Sequence, residues 1–121
     1  MIVVATNAPL DARQLKRLAL RSLLGLGRTG SFIGHGSGDY VIAFSTSTAV
    51  RPTGAVMDTV PRLSDEKLNA LFQSAVESVE EAVYNSVLRA ETTVGANGNR
   101  VEALPVERVK AILRKYGRLS E

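Results

Sequence analysis

Met1-Ile2-Val3-Val4-Ala5 opens the chain, and Tyr40-Val41-Ile42-Ala43-Phe44 is the one other run of the same clear strand character. The first run is apolar at every position, so both faces of the strand call for burial, as in a central strand of a covered sheet. A central strand needs a neighbour on each side, whereas a two-stranded sheet alone is marginal in water. The reading is an α/β chain, two strands with three helices, that forms part of a larger layered domain. Its missing strands come from later in the chain or from another polypeptide.

Composition narrows what such a chain can do. With 121 residues, 45% hydrophobic and 22% charged, the sequence holds one globular domain's worth of core, read as a single domain over 1–121. Cysteine is absent, which removes disulfides and thiolate metal sites, and the lone histidine, His35, makes a protein-only zinc site improbable; no metal or cofactor is expected. A formal charge of +3, from 15 basic and 12 acidic side chains, is too even to imply nucleic acid as a partner. No apolar run approaches the roughly 20 residues of a membrane span, and residues 1–10 show no export pattern. The expectation is a soluble cytoplasmic protein with neither nucleic-acid nor membrane partners, although export of a longer precursor stays open.

Outward from the first strand, Asn7 and Pro9 end it. Asp11 with Gln14 has capping-box spacing, and Leu10 with Leu15 that of a hydrophobic staple, so a helix follows. Leu15, Leu18, Ala19, Ser22, Leu23 and Leu26 make one apolar stripe, with Arg13, Lys16, Arg17 and Arg21 on a solvated face, and Gly25, Gly27 and Gly30 ending the helix. Gly34-His35-Gly36-Ser37-Gly38-Asp39 has the look of a phosphate-binding turn. It precedes a strand instead of opening a helix, so nucleotide binding is set aside. Ser37 and Asp39, two apart on an extended approach, point the same way and can share one site; capping a turn is the plainer reading of spacing alone.

After the second strand, Ser45-Thr46-Ser47-Thr48 and Arg51-Pro52-Thr53-Gly54 form a polar loop where a substrate mouth could be built. A long helix enters at Ser64 with Asp65 and Glu66 in its first turn, and its apolar stripe runs from Leu68 to Ala90, about 35 Å. That is more surface than two strands can cover. Asn97-Gly98 turns the chain, and a third helix starts at Pro105, presents Val106, Val109, Ile112, Leu113 and Tyr116, and closes at Gly117.

In order along the chain, Ile2-Val3-Val4-Ala5-Thr6-Asn7-Ala8-Pro9-Leu10, Gln14-Leu15-Lys16-Arg17-Leu18, Gly27-Arg28-Thr29-Gly30, Gly36-Ser37-Gly38-Asp39 and Ala43-Phe44-Ser45-Thr46 resemble the small C-terminal subunit of the L-aminopeptidase/D-esterase family. That family includes D-aminopeptidases and β-peptidyl aminopeptidases. Asn85-Ser86-Val87-Leu88, Ala90-Glu91-Thr92 and Ala103-Leu104-Pro105 continue the likeness over nearly the whole chain.

The resemblance implies a precursor that cleaves itself into a larger N-terminal subunit and a small one like this chain. Together they build an N-terminal-nucleophile-like α-β-β-α sandwich whose sheets the larger subunit completes, and a homo-oligomer of such heterodimers is expected. The implied activity is release of N-terminal residues from small peptides, amides or esters through an acyl-enzyme. Its nucleophile is a serine at the new N-terminus, with the serine's own α-amine as base, an amine that titrates near pH 7.7 to 8.0. By motif match Ser37 hydrogen-bonds at the nucleophile, Asp39 orients the network, and Gly38 offers a backbone N–H to the oxyanion. The β-peptide-cleaving members carry glutamate at the second place, one methylene longer than Asp39. The family's serine is expected just ahead of Met1 and does not occur there, so the chain alone is expected to be inactive. A non-catalytic assembly module of the same fold is the alternative, and an acyltransferase with a threonine nucleophile a more distant one.

Overall fold

The protein is described here by a computed structural model covering residues 1–120. Two compact units follow one another, Met1–Ala82 and Val83–Glu121. In the first, strand β1 (Ile2–Thr6) leads to helix α1 (Ala12–Arg28) and then to β2 (Val41–Ser45), which pairs with β1 in parallel, Ile2 beside Val41 through Thr6 beside Ser45. A parallel pair cannot be closed by a tight turn, so α1 is the crossover that returns the chain to the starting edge. A single 3₁₀ turn, Asp65–Lys67, feeds the long helix α2 (Leu68–Leu88), which runs on into the second unit.

Both strands show strict alternation. Ile2, Val4, Val41 and Ala43 are half-buried, whereas Val3, Ala5, Ile42 and Phe44 are exposed. The chain therefore covers one sheet face with its helices and leaves the other open. The expectation that both faces of β1 are covered is not met within this chain, because β1 has one strand neighbour and one helical layer. Against the covered face lies a core of Leu10, Leu18, Leu68, Phe72 and Ala75, with Val4, Leu15, Leu63 and Leu71 packed around it.

Helix α1 begins as its sequence requires: Asp11 Oδ1 accepts from Gln14 N at 2.7 Å, and Gln14 Oε1 accepts from Asp11 N at 3.2 Å. Gln14 does more than cap. It is wholly buried, and its Nε2 donates to Leu63 O at 2.7 Å and to Asp65 Oδ1 at 2.8 Å. Its amide thus pins the start of α2 to the start of α1, with every polar atom satisfied. The buried line on α1 is Gln14, Leu18, Ser22 and Gly25, turned slightly from the expected leucine stripe so that small residues face α2. A Cβ on Gly25 would collide with the Val76 carbonyl and lie 2.9 Å from Val79 Cβ. Gly25 is therefore a point of close helix approach, not a helix stop; α1 continues through Arg28.

The basic side of α1 is not simply solvated. Asp65 accepts from Arg13 at 2.8 Å, Arg17 at 3.0 Å and Arg62 at 3.3 Å, while the Arg21 guanidinium sits 3.9 Å from the Phe72 ring centre. At the entry of α2, Ser64 makes no side-chain cap, and Asp65 holds the helix start through these partners. The loop after β2 departs from the end of the strand opposite Ser37 and Asp39, since Thr46 N donates to Thr6 O. Its start thus lies at the opposite end of β2 from that pair.

The second unit holds a small antiparallel hairpin, β3 (Thr93–Val94) with β4 (Arg100–Val101), turned through Asn97 and Gly98 at positive φ. Helix α3 (Val106–Lys115) follows, with Pro105 at its N-cap. Gly117, at φ 63°, donates to Arg114 O and Arg118 N donates to Leu113 O, a Schellman closure. None of the helices is long and apolar enough to cross a membrane among the described residues.

Two glycines one helical step pair apart carry opposite expectations. Gly25→Val must displace backbone and should cost about 1–3 kcal/mol. Gly27→Ala, which meets open space, should gain about 0.5–1 kcal/mol. Urea melts of the two variants check this, and equal shifts would contradict the close approach. Hydrogen bonds from Arg13 and then Gln14 hold the Asp65 carboxyl well below the usual carboxylate range. A carboxyl depressed on folding adds stability above its unfolded titration, near pH 4, and loses it as pH falls toward the folded value. Asp65→Asn should therefore lower the melting temperature at pH 7 and flatten its fall between pH 4 and pH 2.

Candidate active site

The pole of the first unit where β1 and β2 both begin is also where α1 ends, because a crossover helix runs antiparallel to the strands it joins. Ile2 N donates to Tyr40 O at 2.8 Å, so the pairing extends one step ahead of both strands. Continued backwards one step, the register of Ile2 with Val41 sets Met1 beside Tyr40, so the front end of β1 meets the segment that carries Asp39. Neighbouring strands lie about 4.8 Å apart, within reach of a side-chain hydrogen bond.

The turn before β2 is shaped by backbone. Gly36 takes φ 89°, which favours glycine, and Ser37 N donates to Gly34 O at 3.0 Å. Upstream, Ile33 holds φ 51°, an uncommon conformation for a β-branched residue. Beyond the turn, Ser37 Oγ donates to Asp39 Oδ2 in a direct side-chain bond. Ser37 is exposed and Asp39 half-buried. Of the residues singled out from sequence, Ser37, Gly38 and Asp39 are thus together, at the front end of β1. The Gly38 N–H has no acceptor among the described residues. Tyr40, read from the sequence only as a strand residue, is 70% exposed at the same pole, and its ring edge would meet a Cβ on Gly38 at 3.4 Å.

Turn capping makes a specific prediction about these side chains, and the chain supplies its own controls. Thr6, Ser31, Ser45, Ser47 and Thr53 each accept from the backbone N–H two residues on, at 3.1 to 3.3 Å. Neither Ser37 nor Asp39 accepts a backbone N–H among the described residues; they bond each other. The pair leaves the Ser37 oxygen's acceptor capacity and the second Asp39 carboxylate oxygen without a partner among the described residues. Among the described residues no group of three or more His, Cys, Asp or Glu side chains could hold a metal ion, and His35 stands in the turn without such neighbours.

The β-peptidyl aminopeptidase BapA of Sphingosinicella microcystinivorans is 41% identical over 121 residues, 99% of this chain but 31% of its own length. Among solved structures, the L-aminopeptidase D-Ala-esterase/amidase of Ochrobactrum anthropi, described as a variant of the Ntn hydrolase fold, matches with TM-score 0.84 and 45% identity. The match covers 98% of this chain and 34% of that one. The PH0078 protein of Pyrococcus horikoshii OT3 matches with TM-score 0.86 and 42% identity, again over 98% of this chain and 34% of that one. The chain spans about a third of the length of these relatives. Its fold is that of the corresponding part of an Ntn hydrolase, and residues 1–101 match Peptidase family S58. The chain belongs to that family of serine peptidases.

Proposed function

We propose that the chain is the small subunit of an N-terminal-nucleophile aminopeptidase that releases N-terminal residues from small peptides, amides or esters. A larger polypeptide of the same precursor completes it. The observation that carries this reading is the register of β1 with β2, which sets the front end of β1 beside the segment bearing Asp39 and its bonded partner Ser37; the nucleophile is proposed at the position ahead of Met1. A serine at that position, freed at its own amine by cleavage, is the nucleophile; its α-amine takes the hydroxyl proton as the acyl-enzyme forms. Ser37 accepts from that amine, Asp39 balances the ammonium that develops, and Gly38 N–H stabilises the oxyanion. The open sheet face of Val3, Ala5, Ile42 and Phe44 is the surface on which the larger polypeptide lays its own sheet. Heterodimers of this kind assemble further into a homo-oligomer, the precursor resides in the cytoplasm, and the isolated chain lacks activity.

In the complete enzyme, Ser37→Ala or Asp39→Asn should lower kcat/KM for aminoacyl p-nitroanilides by about 100-fold or more, with unchanged circular dichroism. Wild-type turnover in both variants would return Ser37 and Asp39 to the merely local role of capping the turn. Because the base is an α-amine, kcat/KM should rise with pH through about 7.7 to 8.0 as the amine loses its proton. A profile flat from pH 6 to 9 would exclude that base.

A further inference from the structure

The chain's charge is unevenly placed. Eight Lys/Arg balance eight Asp/Glu in residues 1–82, leaving the whole formal +3 in residues 83–121. Most of it lies on and just after α3, where Arg108, Lys110, Arg114, Lys115 and Arg118 face a single acid, Glu107. Yet the other side of α3 is apolar and uncovered: Ile112 is 49% exposed, Leu113 38% and Tyr116 69%, with Val109 half-buried beside them. No described residue of this unit is buried. Ten residues are fewer than an isolated helix needs to persist in water, so a helix this well closed requires a surface to lie on.

The occupant of that face can be argued from charge. A second α3 would set two strongly cationic helices side by side, a repulsive arrangement. What fits is a surface with an apolar centre and a carboxylate rim. Relatives three times the length of this chain carry the additional polypeptide in which such a surface can be built. We propose that α3 is a docking helix that seats Val109, Ile112, Leu113 and Tyr116 in an apolar groove of the larger polypeptide, with Arg114 and Lys115 meeting acidic side chains on the groove's rim. The inference rests on the proposed two-polypeptide enzyme and adds to it the element and the chemistry of attachment.

Zero-length carbodiimide coupling of the full-length precursor, as purified, tests this, because it joins an amine to a carboxylate only where they touch. Mass spectrometry should find Lys110 or Lys115 joined to an Asp or Glu of the larger polypeptide. Amides of residues 109–116 should exchange at least tenfold more slowly than in the Ile112→Glu/Lys115→Glu variant. Cross-links confined to residues 83–121 or joining two copies of α3, together with equal exchange in both proteins, would overturn the proposal. So would protection gained only on adding phosphatidylserine vesicles, which would make α3 a lipid-surface helix. A wild-type preparation without any larger polypeptide would instead overturn the proposed enzyme itself, and the two failures are distinguishable on one gel.

Discussion

A parallel pair of strands stands or falls with its crossover, and in this chain the whole candidate site follows from that constraint. Apart from the ladder bonds themselves, such as Ile2 N to Tyr40 O, no turn holds the start of β1 against the start of β2. Their register is kept by α1, and α1 is kept by two contacts near its ends. At its beginning the buried Gln14 amide joins Leu63 and Asp65, the residues that lead into α2. Near its end Gly25 lets α2 approach to backbone contact with Val76. A neutral amide can be buried at little cost when all its polar atoms are bonded, whereas a charged side chain in the same place would bring a desolvation penalty. The charges stay outside, where Arg13, Arg17 and Arg62 surround Asp65 in solvent and contribute modestly.

What the chain leaves uncovered is as informative as what it buries. Val3, Ile42 and Phe44 make an apolar sheet face with no layer over it, and α2, α3 and the hairpin between them carry further exposed apolar side chains. Scattered exposed leucines are ordinary, but a whole sheet face is not. The chain spans about a third of its relatives' length and folds like the matching third of an Ntn hydrolase, and an open sheet face of this kind is what the proposed larger polypeptide would cover.

Local signals were readable in the sequence and distant ones were not. The Asp11 and Gln14 capping box needs only its own spacing, and so does the positive-φ turn at Asn97 and Gly98. The second role of Gln14 depends on Leu63 and Asp65, about fifty positions on, and no local pattern announces it. Gly25 and Gly27 look alike in the sequence, yet one faces α2 and the other open space. Arg21 reads as a solvated charge because the aromatic ring beneath it, Phe72, comes from another helix. Alternation in β1 was hidden because both of its faces are apolar, one packed on the helices of this chain and one left open.

The candidate site was legible as residues but not as chemistry, and the difference lies in the direction of one hydrogen bond. Ser37 has a single hydroxyl hydrogen, and it is given to Asp39. Any further group that bonds the Ser37 oxygen must therefore donate. An α-ammonium does so, and so does a serine hydroxyl; a backbone carbonyl or a substrate carboxylate does not. The pair is consequently polarised toward a cation, with the Asp39 charge behind the hydroxyl that meets it. The proposed base, an α-amine that collects a proton from its own side chain, would use that arrangement: an acceptor for the ammonium and a fixed negative charge to offset it. Thr6, Ser31, Ser45, Ser47 and Thr53 spend their oxygens on the backbone N–H two residues on, whereas the Ser37 oxygen keeps its acceptor capacity free of the turn that carries it.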